Sequence, residues 1–171
     1  MEVFKLVFSP MEVNTYILSD SSGQCAVIDC GCYNRSEFEK LVGLMESKNL
    51  TPVLLINTHC HLDHIFGNRM FLEKYNLGTY CHKDEDANRR DSVPVASIFG
   101  LKMHLPPEPA ALIGEGDTVK FERTTGEERP DLRRADAARL PVGWVEPEIV
   151  PEDQAGGLEH ALHLRRDALL D

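Results

Sequence analysis

The sequence predicts a layered α/β domain. Three observations carry this: short Val-, Ile-, Phe- and Tyr-rich runs bounded by turn residues, an amphipathic helical run between two of them, and "PVLLINT" at 52–58. That last run is nearly all apolar, as in a strand buried on both faces. Ligands in such folds gather beyond the C-terminal ends of strands.

Residues 2–8, 13–19 and 24–29 read as strands, and "DSSG" at 20–23 joins the second and third as a hairpin. In "NRSEFEKLVGLMES", Phe38, Leu41, Val42 and Met45 recur at i, i+3, i+4 and i+7, which predicts an amphipathic helix. Ser36 and Glu39 stand in capping-box spacing at its start. A second helix is expected from about Ile65 to Asn76, stopped by Gly78. "TYCH" at 79–82 reads as a strand, and residues 104–122 as a proline-rich loop, a glycine turn and a short strand.

At 171 residues the chain is expected to form one domain with a substantial core. Eighteen basic against 28 acidic residues give a net charge of −10, which disfavours a phosphate backbone as partner and leaves a small-molecule substrate. No run of 18 apolar residues predicts a membrane span. The start "MEVFKLVFSP" lacks a basic n-region followed by an apolar h-region, so a cytoplasmic location is expected. The five cysteines, Cys25, Cys30, Cys32, Cys60 and Cys81, are odd in number and irregularly spaced. They read as buried or turn thiols rather than a disulfide framework.

The buried run leads into "THCHLDHIFGN" at 58–68, where His59, His61, Asp63 and His64 are all metal-ligand types. One intervening residue puts the imidazoles of His59 and His61 on the same side of an extended segment, able to share one metal at about 2.0–2.1 Å. Cys60 then points the other way and reads as a packing residue. Asp63 and His64 follow as the chain turns into a helix, placed to serve a second metal. Two metals about 3.5–4 Å apart hold a bridging water and lower its pKa toward 7.

"THCHLDH" after an apolar strand resembles the T-H-x-H-x-D-H signature of metallo-β-lactamase-fold hydrolases. "NTYILSD…AVIDCG" resembles the opening hairpin of that family, with Asp29-Cys30-Gly31 where Asp-Pro-Gly is common. "HIFGN" and "IGEGDTVKF" are similar to its glyoxalase II-like (hydroxyacylglutathione hydrolase-like) branch. The resemblance covers about residues 1–122. It implies an αββα sandwich with two metal ions, zinc or alternatively iron, at one edge. It further implies that His59 and His61 bind the first metal, that Asp63 and His64 serve the second, and that Asp63 also orients the attacking water. The implied substrate is a thioester, an ester or a lactam.

The family needs three further ligands: a histidine in a "PGH"-like turn, a bridging aspartate and a last histidine. No Gly-His dipeptide occurs in this chain, and beyond residue 122 the histidines are His160 and His163. "LEHALHLRRDALL" reads as a helix with Leu158, Ala161, Leu162 and Leu169 on one side, and His160 and His163 as incidental on it. His82 and His104 read as supporting or surface groups, and Asp136 and Asp153 receive no role. Residues 1–122 hold seven lysines and four arginines; residues 123–171 hold no lysine and seven arginines. The first segment is therefore read as the N-terminal part of the domain. The second is read as a divergent or out-of-frame tail, with the other half of the sandwich missing or replaced. Three functions follow: a metal-dependent hydrolase, an inactive metal-binding remnant whose uncovered sheet face would self-associate, or an iron-dependent persulfide dioxygenase. An out-of-frame tail requires that another frame of the encoding DNA past codon 122 specify a Gly-His turn and a later Asp and His, which sequencing of that DNA checks.

Overall fold

The computed structural model describes residues 1–120, 149–151 and 161–163. Strands β1 (Glu2–Phe8), β2 (Val13–Ser19) and β3 (Gln24–Ile28) form an antiparallel meander. Its second turn is closed by Asp20, whose Oδ1 accepts from Ser22 N–H at 2.8 Å, and by Gly23 at φ +81°. Strands β4 (Thr51–Ile56), β5 (Thr79–His82) and β6 (Ala111–Ile113) add in parallel, giving a six-stranded sheet of order β1-β2-β3-β4-β5-β6. Strand β7 (Asp117–Lys120) lies between β8 (Ile149–Pro151) and β9 (Ala161–His163) in an antiparallel second sheet.

Both faces of the central strands of the large sheet are buried. On one, Ile17, Cys25, Val27 and Leu55 pack with Phe38, Leu41, Val42 and Met45 of helix α1 (Arg35–Ser47) and with Phe71 of α3 (Asn68–Tyr75). On the other, Ala26, Ile28, Leu54, Ile56, Tyr80 and Ile113 pack with Val119 of β7. Alternation along β3 and β4 sends neighbouring side chains to opposite layers, which is why these strands read as unbroken apolar runs. Each large side chain buried here stabilises the fold by about 1.5–3 kcal/mol. The layers described are therefore helix, sheet and sheet, as in the predicted sandwich.

Helix α1 occupies the expected span, but Asn34 caps it, not Ser36. Asn34 Oδ1 accepts from Glu37 N–H at 3.0 Å, and Glu37 Oε2 reaches back to Tyr33 N–H at 2.7 Å. Asn and Ser cap equally well, so the choice falls to whichever stands at the turn. The expected helix over 65–76 is two helices, α2 (Leu62–Ile65) and α3. Gly67 separates them because its N–H donates to Cys30 O at 2.8 Å, drawing the backbone against the turn after β3. The chain then ends α3 at Asn76, in the left-handed region at φ +54°.

Helix α4 (Asp86–Ile98) has no counterpart among the expected elements. Its buried residues are Arg89, Ser92 and Ala96, so no apolar period marks it, and Pro94 reads as a breaker. Arg89 is buried because Asp86 accepts from its Nε at 2.8 Å and Pro106 O accepts from Nη1 at 3.0 Å. The helix expected over "LEHALHLRRDALL" is corrected at Ala161–His163, which pairs with β7 as β9. A neighbouring strand overrides helical periodicity by supplying the backbone hydrogen bonds. His160, Asp136 and Asp153, and most of the segment read as a tail, lie outside the described residues.

A Cβ at Gly67 would stand 2.5 Å from Cys30 Sγ and 2.8 Å from Cys30 O, whereas one at Gly43 in α1 meets nothing within 4 Å. Gly67→Ala is expected to lower stability by about 1–3 kcal/mol. Gly43→Ala is expected to raise it by about 0.5–1 kcal/mol. Urea unfolding midpoints of the full chain measure both.

Candidate metal centre

Parallel strands β3, β4 and β5 end at one edge, and each delivers polar residues there. β3 ends in Asp29, β4 in Asn57, Thr58 and His59, and the 3₁₀ turn Lys83–Glu85 after β5 in Glu85. His61 stands at the N-terminal cap of α2, and Asp63 and His64 lie within it.

Asp29 is the hub. It is 4 % exposed and adopts φ +53°, a conformation Asp tolerates better than most residues. Thr15, fully buried on β2, holds the turn: its Oγ1 donates to Asp29 O at 2.5 Å and accepts from Gly31 N–H at 3.2 Å. The Asp29 carboxylate accepts from Thr58 N–H at 2.8 Å, Thr58 Oγ1 at 2.6 Å and Asn57 Nδ2 at 3.3 Å. His64 Nδ1 stands 2.9 Å from Asp29 Oδ2. Asn57 Nδ2 also donates to His64 O at 3.1 Å, and Asn57 Oδ1 accepts from Asn68 at 2.8 Å.

These contacts fix which ring nitrogens are free. Thr58 spends its hydroxyl proton on Asp29, so toward His59 Nδ1, 3.0 Å away, it can only accept. His59 therefore carries its proton on Nδ1 and leaves the Nε2 lone pair outward. His64 Nε2 lies 3.7 Å from Asp63 Oδ2. The His59 ring centroid lies 4.5 Å from that of His61 and 3.9 Å from that of His64.

Burial lowers the pKa of His59, and the neighbouring His64 and His61 lower it further, keeping a neutral donor ready. Burial also disfavours charge on His64, but the Asp29 hydrogen bond and the charges of Asp29 and Asp63 outweigh it and raise its pKa. Glu85 is buried as well, which disfavours its charged form. Hydrogen bonds from Asn88 and Cys60 N–H, with the charges of His59 and His61, nevertheless hold its pKa below the usual carboxylate value.

The four residues singled out by the sequence are thus brought together. In donor type they suit zinc or iron. Among the described residues no group of three or more His, Cys, Asp or Glu side chains is arranged to enclose an ion. Closing the site takes donors beyond these. Cys60 is buried against Ile65 and Cys81, as expected of a packing residue. All five cysteines are buried and free, with Cys30 and Cys32 sulfurs 4.0 Å apart. His82 pairs with Asp84 at 3.4 Å and His104 is exposed, both apart from the cluster. Asp29 and Glu85 received no role from the sequence. A carboxylate at the end of a buried strand, followed by a Gly-containing turn, was the available signal for Asp29.

The sequence profile of the Metallo-beta-lactamase superfamily matches residues 9–158. A probable metallo-hydrolase of Bacillus subtilis, YqgX, is 29 % identical over 113 residues, covering 66 % of this chain and 51 % of that protein. A hydroxyacylglutathione hydrolase of Buchnera aphidicola is 34 % identical over 112 residues, covering 61 % and 43 %. The chain spans 32–60 % of the length of these curated relatives and others like them. Among solved structures, TTHA1623 in a di-iron-bound form superposes with TM-score 0.58 at 27 % identity, over 66 % of this chain and 55 % of that one. The B3 metallo-beta-lactamase BLEG-1 superposes with TM-score 0.57 at 20 % identity, over 68 % and 55 %, and shares the fold.

Asp29→Ala removes the shared acceptor of three hydrogen bonds and is expected to cost on the order of 3 kcal/mol in the metal-free chain. With the His64 pKa raised, the Asp29–His64 contribution is full below the ordinary histidine value, about 6.5, and fades as pH rises through the raised one. His59, with its pKa lowered, works in the opposite sense. Urea midpoints of wild type and Asp29→Asn across pH 5–9 isolate the first effect, which the variant lacks.

Proposed function

The chain belongs to the Metallo-beta-lactamase superfamily, and on that premise we propose that it is a metal-dependent hydrolase cleaving a thioester or ester. The observation that carries this reading is the clustering of His59, His61, Asp63 and His64 at one sheet edge, with the His59 Nδ1 proton held by Thr58 so that Nε2 is free. His59 and His61 would hold one ion, and Asp63 and His64 a second. The hydroxyacylglutathione hydrolases among its relatives act, by their names, on a thioester, which supports that substrate class. Zinc suits the imidazole and carboxylate set, and the di-iron-bound neighbour supports iron as the alternative.

Bound at this edge, divalent ions supply an activated water and polarise the substrate carbonyl. The chain's own residues do the rest. Asp63, at the start of α2, would orient the attacking water, and the Asp29 carboxylate faces the His64 ring at 2.9 Å. His59 stays neutral because burial lowers its pKa, so it donates a lone pair at pH 7. The net charge of −10 fits a small-molecule substrate rather than nucleic acid. Among the described residues no helix is long and apolar enough to cross a membrane. Five free, buried thiols fit a reducing, cytoplasmic setting.

Metal analysis and a thioester hydrolysis assay on the full chain test the proposal. About two metal equivalents are expected, with His61→Ala losing metal and turnover together and Asp63→Asn lowering kcat by about 10²–10⁴-fold. Less than one equivalent of metal without turnover would identify a non-catalytic metal-binding domain instead. Iron with oxygen consumption would select a persulfide dioxygenase.

A further inference from the structure

Glu85 lies outside the histidine motif and is only 7 % exposed. Its Oε2 accepts from the backbone N–H of Cys60 at 2.9 Å and from Asn88 Nδ2 at 2.8 Å. Cys60 is the residue between His59 and His61, so its peptide sets how those two imidazoles stand toward each other. Asp29 holds the other side, through Thr58 N–H. Two carboxylates from different strand ends thus grip alternate peptides on either side of His59.

The grip by Glu85 has a feature that packing does not need. Among the described residues, no Lys or Arg forms an ion pair with Glu85. A buried carboxylate without a cation is costly, and an amide acceptor of the same shape would also satisfy the Cys60 N–H, with a weaker bond. Glu85 lies close enough to His59 and His61 for their charges to interact, and a negative charge there has a use when those imidazoles hold a cation. Partners of this kind, one step behind the ligands, typically set metal affinity by about 10–100-fold.

We propose that Glu85 is a positioning residue for the His59–His61 pair: its carboxylate fixes the peptide between them and its charge strengthens their hold on a divalent cation. This rests on the metal-centre reading above. The test compares wild type, Glu85→Gln and Glu85→Ala as full chains freed of metal. Co(II) titration followed by visible absorption gives affinity. The Cys60 amide proton resonance, in protein labelled with ¹⁵N-cysteine, reports the hydrogen bond without any metal.

Glu85→Ala is expected to weaken Co(II) binding by about 10–100-fold. Glu85→Gln should weaken it less, at an unchanged urea midpoint, and the Cys60 amide proton should move upfield in both. A merely structural role would leave the Glu85→Gln affinity at the wild-type value, and that result overturns the proposal. An unmoved Cys60 amide overturns it too. Should Glu85→Ala fail to fold, the isosteric Glu85→Gln decides by the same two readings. Wild type that takes up no Co(II) overturns the metal-centre reading and the affinity role with it. A shifted Cys60 amide would then still establish the peptide grip.

Discussion

The arrangement at this sheet edge depends on the carboxylate of Asp29. It collects the backbone and hydroxyl of Thr58, the amide of Asn57 and the ring of His64 in one place. Through Thr58 it also settles the proton on His59. Without that acceptor, buried donors from three directions would compete for solvent, and neither imidazole would have a defined orientation. The left-handed backbone at Asp29 is what turns the carboxylate toward β4, and Thr15 of β2 holds that turn. A polar group in the core of the meander therefore governs the imidazole rings one strand away.

Parallel pairing explains why the carboxylates arrive where they do. Strands running the same way end on the same edge, so the residues following β3, β4 and β5 are neighbours despite their separation in sequence. Asp29 and Glu85 approach the histidine segment from its two sides because β3 and β5 flank β4. The apolar faces of those strands, one against α1 and α3 and the other against β7, hold the edge rigid.

Local patterns made the meander, α1 and the grouping of His59, His61, Asp63 and His64 legible, because each depends on residues a few positions apart. What depends on tertiary partners was hidden. Helix α4 buries Arg89 and Ser92 through side-chain hydrogen bonds, which leave no hydrophobic period to detect. The break at Gly67 follows from a bond to Cys30, 37 residues earlier in the chain by their numbers. Asn34 outcompeted Ser36 as a cap because Glu37 could also reach Tyr33. Asp29 and Glu85 stayed without a role since nothing near them in sequence shows which backbone N–H groups they meet. The strand at Ala161–His163 is set by β7, a partner no helical periodicity reveals.

The contact between Asp29 and Thr58 spans 29 residues, and that between Glu85 and Cys60 spans 25. An unfolded chain already carries His59, His61, Asp63 and His64 in one short segment, but with their rotamers unset. Both orienting carboxylates arrive only when β3, β4 and β5 have paired in parallel, a slow class of contact to form. At the proposed metal centre, ordered ligation would therefore be a late event in the life of a newly made molecule. A cation arriving earlier would meet loose histidines; one arriving later would meet a prepared edge and hold the finished sheet in place.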